Sequence, residues 1–113
     1  MKKANYFYLH QLLAPLNTLS REEERIVQAV DPNSESDVRA IIKRFIKPFL
    51  EALTTTSQEQ IKDSFSYFLT TEDAPFLRIL KSQQESPLEL PDEAMLFFVW
   101  VWKELFPNEN HMN

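Results

Sequence analysis

Glycine is absent from the 113 residues of this chain, where average usage of about 7% would supply roughly eight. Glycine gives primed hairpin turns their positive φ and lets the backbone of a phosphate-binding loop come close to its ligand. Without it no G-x-G-x-x-G, P-loop or G-x-S-x-G motif can exist, and an all-β fold built on tight hairpins is disfavoured. Cysteine is absent as well. That removes disulfides, a thiolate nucleophile and cysteine-based zinc sites, and it permits a reducing compartment.

Histidine is nearly absent, being limited to His10 and His111. The first sits in an apolar stretch where a packed or half-exposed imidazole is the expected role; the second belongs to a polar tail. Neither H-E-x-x-H nor the E-x-x-H of helical di-iron sites occurs, and Glu22, Glu23 and Glu24 are consecutive, so on a helix they fan apart instead of converging on an ion. No Ser-His-acid set has a local signature, and the cleft that a pair of glycosidase carboxylates would need is not visible. The expectation is a non-enzyme with no catalytic residues, no metal ligands and no cofactor.

What is present is ordinary globular composition, 43% hydrophobic and 26% charged with nine phenylalanines, in a length that suits one core. We expect a single helical domain over residues 1–113, with 107–113 a polar carboxy-terminal tail. The amino terminus, MKKANYFYLHQLLAPL, superficially mimics a signal peptide. Polar Asn5, His10 and Gln11 interrupt it and no small-x-small cleavage site follows, so it reads as the first helix of a cytoplasmic protein.

Apolar periodicity and capping signals predict six helices. The first runs from Ala4 to Ala14 and is closed by Pro15. Ser20 to Glu23 forms a capping box opening a helix from Arg21 to Val30, whose acidic first turn suits the helix dipole. Ser34 caps the third, in which Val38, Ile41, Ile42, Phe45, Ile46, Phe49 and Leu53 share one arc, with a kink at Pro48. Ser57 to Gln60 reads as the box opening a fourth helix with Ile61, Phe65, Phe68 and Leu69 inward. Thr71 or Asp73 caps a fifth carrying Phe76, Leu77, Ile79 and Leu80. The stretch from Gln83 to Leu90 reads as an extended connection.

The sixth element, PDEAMLFFVWVWKELFP over 91–107, holds both tryptophans. Its nine uninterrupted apolar residues fall far short of the roughly 20 that cross a bilayer. A strand is the rival reading, since Phe97 to Trp102 is rich in β-formers; length and the lack of other convincing strands favour a helix from Asp92 to Phe106. At ~100° per residue, Phe97, Val101, Ala94, Leu105, Phe98, Trp102, Met95, Phe106 and Val99 make the core face. Leu96 and Trp100 fall among the charges, because tryptophans two apart cannot point the same way on a helix. Either the amino-terminal helix or the 83–90 connection covers them, or Trp100 is exposed and marks a binding surface.

Charge is uneven along the chain. Residues 1–81 hold eleven acids and eleven bases, whereas 82–113 hold six acids and one base, which accounts for the whole net charge of -5. The fold class that follows is all-α, a compact orthogonal or bundle-like array of five to six helices around an apolar carboxy-terminal helix. The expected function is non-catalytic binding of a protein partner, of basic character, through Glu85, Glu89, Asp92, Glu93, Leu96 and Trp100. Small acidic inhibitors and immunity-type proteins that mask basic partners use this surface chemistry. An alternative site is the basic stripe of Arg39, Lys43, Arg44 and Lys47 on the third helix. It could track phosphates, although Ser34 to Asp37 puts acid where a recognition helix meets DNA and so disfavours nucleic acid. It could also meet the acidic end of another copy in a homo-oligomeric structural or adaptor protein.

Overall fold

Seven α-helices, one 3-10 turn and one π-turn make up the computed structural model, which describes residues 7–71, 74–83 and 86–108; no strand occurs among them. In chain order these are α1 (Phe7–Leu13), the 3-10 turn (Ala14–Asn17), α2 (Arg21–Gln28), α3 (Glu35–Ile41), the π-turn (Ile42–Ile46), α4 (Lys47–Glu51), α5 (Thr55–Leu69), α6 (Phe76–Lys81) and α7 (Ala94–Leu105). The all-α expectation holds, and the radius of gyration is 13.3 Å, close to the ~13 Å typical of a compact domain of about this length. No helix among the described residues is long and apolar enough to cross a membrane.

The carboxy-terminal segment is a helix, so the strand reading falls. α7 packs on α3, the π-turn, α5 and α6 and is the element around which the others gather. Its rings build the centre of the core. Phe65 of α5 meets Phe98 and Trp102 edge-on at centroid distances of 5.9 and 5.3 Å, and Phe76 of α6 stacks on Phe98 at 4.7 Å. Offset and edge-to-face pairs of this kind add roughly 0.5–1.5 kcal/mol each beyond the area they bury.

Local signals explain most of the helix starts. The Ser20 hydroxyl accepts from the Glu23 N–H while the Glu23 carboxylate accepts from the Ser20 N–H, the reciprocal capping box of α2. Ser34 accepts from the Asp37 N–H at the start of α3. At α5 the cap is Thr54, whose hydroxyl accepts from the Ser57 N–H, so the helix begins three residues earlier than the box at Ser57 suggests. Thr71 does not cap α6, because its hydroxyl donates back to the Tyr67 carbonyl at the end of α5; Asp73 lies outside the described residues. Pro15 ends the first α-helix at Leu13 but sits inside the 3-10 turn, where its fixed φ is tolerated.

A single helical path runs from Glu35 to Glu51, with a π-turn where a proline kink was expected. Pro48 has no N–H for the Arg44 carbonyl, and its ring crowds that carbonyl. The chain takes up the conflict one turn earlier, where the Lys47 N–H reaches the Ile42 carbonyl five residues back. The extra residue advances the inward arc by one position. Leu50 is therefore buried, while Phe49, Phe45 and Leu53 of the regular wheel are only half-buried.

Candidate functional site

The inward face of α7 differs from a wheel centred on Val101 and Leu105 alone. Phe97, Phe98, Val101, Trp102 and Leu105 are buried as expected, but Met95 is 49% exposed and Trp100 only 8%. Trp100 is thus not the exposed ring of the binding-surface reading. Pro32, in the turn between α2 and α3, and Pro91, just ahead of α7, line the same cleft as Trp100, and both prolines are themselves buried. Among the described residues of the 83–90 connection, none lines this cleft. Nothing in the spacing of 91–107 could disclose that arrangement, because it depends on a turn some sixty positions earlier in the chain.

Around Trp100 the surface opens into a cleft of about 260 Å³ lined by Pro32, Asn33, Pro91, Asp92, Glu93, Leu96 and Trp100. Asp92, Glu93, Leu96 and Trp100, four of the six residues expected to bind a partner, meet there. Leu96 is 39% exposed and gives the cleft an accessible apolar wall. Asp92 and Glu93 are exposed, and Glu93 occupies the N-cap position of α7 without a side-chain capping bond. Both carboxylates stand at the positive end of the helix dipole, which favours negative charge. The cleft is fastened by Asn33, whose side-chain carbonyl accepts from the Asp92 N–H at 2.8 Å. Pro32 and Asn33 were not anticipated; their partnership is long-range and leaves no periodic trace.

The remaining two expected residues fall elsewhere. Glu89 lines a separate small hollow with Leu13, Leu16 and Leu88. Glu85 lies outside the described residues.

The basic stripe is not a uniform row of available cations. Arg39 donates through Nε to Glu104 of α7 at 3.1 Å and through Nη1 to Glu35 at 3.2 Å. These two hydrogen bonds, Glu104 first, hold its guanidinium above its ordinary pKa. Arg39 thereby ties α3 to α7. Arg44 lies 5.3 Å from the Phe45 ring centroid, and Lys43 and Arg44 are exposed while Lys47 is half-buried. The stripe is divided by the π-turn, which rotates Lys47 away from the spacing of a regular helix.

His10 is half-buried between α1 and the end of α6, with Nδ1 2.8 Å from the Ser82 hydroxyl and 3.3 Å from the Gln83 amide nitrogen. The Ser82 hydroxyl donates to the Ile79 carbonyl at 2.6 Å. The hydroxyl therefore has two partners for its one proton, the Ile79 carbonyl and the His10 ring. The Asn17 amide extends this polar joint by donating to Gln83 at 2.6 Å. The joint fastens α1 and the 3-10 turn to α6. His111 lies outside the described residues, and among those described no three acidic or histidine side chains are placed to hold a metal ion.

The class these features define is an all-α domain with one acidic, tryptophan-lined surface cleft. Comparison of the chain with protein-family models, with curated proteins and with solved structures finds no significant match.

Proposed function

We propose that the chain is a non-catalytic protein-binding domain that uses the cleft at the amino-terminal end of α7 to hold a basic protein partner, in the manner of a small acidic inhibitor or immunity-type protein. The observation that carries this reading is the cleft itself, in which two exposed carboxylates border an accessible leucine beside the buried Trp100. Aromatic anchors with a polar rim are the usual centre of protein recognition, and charges on the rim act mainly on encounter rate and partner choice. The concentration of acid in residues 82–113 adds a long-range pull on basic partners.

The test is capture from an extract of the native host by the immobilised chain, compared with Glu93→Lys and Leu96→Asp variants. Both changes fall on exposed positions, so the fold should survive, and circular dichroism checks that it does. The reading expects a basic protein held by the parent chain and lost by both variants as salt rises above physiological strength. Equal retention by the variants would place the binding surface elsewhere, and loss only on substitution of Lys43 and Arg44 would move it to the basic stripe.

A further inference from the structure

We propose that the outward stripe of α7 pairs with the same stripe of a second copy of this chain, the two helices running antiparallel. At ~100° per residue, Leu96, Val99 and Lys103 fall within about 60° of one another, on the side of α7 away from the buried Phe97, Val101 and Leu105. Lys103 is exposed, Leu96 is 39% exposed and Val99 is half-buried, while Met95 beside them is 49% exposed. These three apolar side chains are neighbours on one helix face and so make a patch, where scattered single residues would need no explanation.

The order of charge along the stripe selects the occupant. Exposed Asp92 and Glu93 stand at its amino-terminal end, Leu96 and Val99 at its centre and Lys103 at its carboxy-terminal end. Among the described residues none of these three charged side chains makes an ion pair. Glu104, the acid next to Lys103, is turned to α3 and held by Arg39, so it does not neutralise that end.

A two-fold axis crossing the stripe between Leu96 and Val99 lays Leu96 on the partner's Val99 and brings the acids to the partner's Lys103. Each contact is then made twice, as a closed isologous interface requires. Parallel pairing would instead set like charge against like.

The contact is small. α7 has 12 residues, a length of roughly 18 Å at about 1.5 Å per residue, which places the pairing in the weak, transient class of interfaces. It does not depend on the cleft being a binding surface, for Val99 and Lys103 do not line the cleft. Because Asp92, Glu93 and Leu96 do line it, a paired copy and a bound partner would exclude one another.

The experiment is sedimentation equilibrium of the full chain between about 10 µM and about 1 mM, at about 50 mM salt so that screening is modest. The parent mass should rise from 13.4 kDa toward twice that value and no further, and Leu96→Asp should stay at the monomer mass. Lys103→Glu alone, and Asp92→Lys with Glu93→Lys alone, should each pair at least about tenfold more weakly, whereas an equimolar mixture of the two should regain the parent affinity within about threefold. Circular dichroism checks that each variant is folded. A parent chain that remains at the monomer mass at the highest concentration would overturn the proposal, and so would charge variants that associate like the parent, a mixture no tighter than its components, or growth beyond a dimer. Lys103→Glu also separates the two readings, since it should lose pairing yet still capture the basic protein from host extract.

Discussion

The side chain of Asn33 and the backbone of Asp92, 59 positions apart, are joined by a 2.8 Å hydrogen bond that spans the mouth of the tryptophan cleft. It links the turn after α2 to the entry of α7. As an exposed single bond it should contribute about 0.5–1 kcal/mol to stability, near the low end for such bonds. Replacing Asn33 with Ala should therefore cost little in a urea titration yet loosen the cover over Trp100. In a Trp102→Phe background, where Trp100 is the sole emitter, acrylamide quenching should rise on Asn33→Ala. The parent background should show the blue-shifted, weakly quenched emission of a ring that is 8% exposed.

Phe65 is the other place where a single change should be felt throughout the molecule. It is fully buried and touches Phe98 and Trp102 edge-on. Phe65→Ala should cost about 3–5 kcal/mol, the usual range for emptying a buried aromatic site. A total stability of about 5–15 kcal/mol is normal for a domain, so the variant should lie near its unfolding threshold. Near-ultraviolet circular dichroism should lose the tryptophan signal before far-ultraviolet signal falls.

The two carboxylates around Arg39 should not be equivalent. Glu35 is an exposed neighbour one turn away on the same helix, with 42% of its side chain accessible, whereas Glu104 lies across on α7 with 15% accessible. A double-mutant cycle should give about 0.3–0.5 kcal/mol for Arg39 with Glu35 and about 1 kcal/mol or slightly more for Arg39 with Glu104, which is less screened. Raising salt to 1 M should erase the first coupling and reduce the second by a smaller fraction.

Acid stability should carry a signature of the capping box. The Glu23 carboxylate is held below its ordinary pKa, first by the backbone N–H of Ser20, then by the Ser20 hydroxyl, with Arg44 adding a weaker favourable field. Because the folded-state value is the lower one, the contribution is complete above the unfolded value of roughly 4.3 and is lost as pH falls through the folded value. Glu23→Gln should flatten the stability curve in that acid window and leave its shape unchanged near neutrality. Ser20→Ala should lower stability by about 1 kcal/mol at pH 7 through loss of the cap.

How far the sequence alone could be read follows from which forces are local. Capping at Ser20 and Ser34 and the apolar arcs of α5 and α7 act over three or four residues, so their traces are legible in order. Thr54 and Ser57 are both hydroxyl residues before an apolar run, so the sequence does not distinguish the cap that forms, Thr54, from the box at Ser57. The π-turn was hidden. Pro48 announces a disturbance, but whether the chain bends or inserts a residue depends on how the π-turn fits against α7 and the 3-10 turn. Leu77 belongs to the same class of error, for its 46% exposure reflects a short α6 with only one face against the core.

At the cleft the sequence disclosed the acid and the tryptophan, and the structure added Pro32, Asn33 and Pro91. The wheel located Leu96 and Trp100 on a charged side, and Leu96 is indeed accessible. It could not reveal that Pro32 and Pro91 line the same cleft as the ring, since side-chain angles say nothing of what a distant turn brings alongside. Arg39 is a parallel case. Its place in a row of bases was plain, whereas its pairing with Glu104 required the crossing of α3 on α7.

The most direct test of the cleft as the binding surface is an amide and indole chemical-shift map of the labelled chain on addition of a tetra-arginine peptide at 150 mM salt. The shifts should centre on Asn33, Asp92, Glu93, Leu96 and the Trp100 indole, and should disappear together in Glu93→Lys. Shifts spread evenly over all exposed carboxylates, or centred on Glu22, Glu23 and Glu24 of α2, would contradict it.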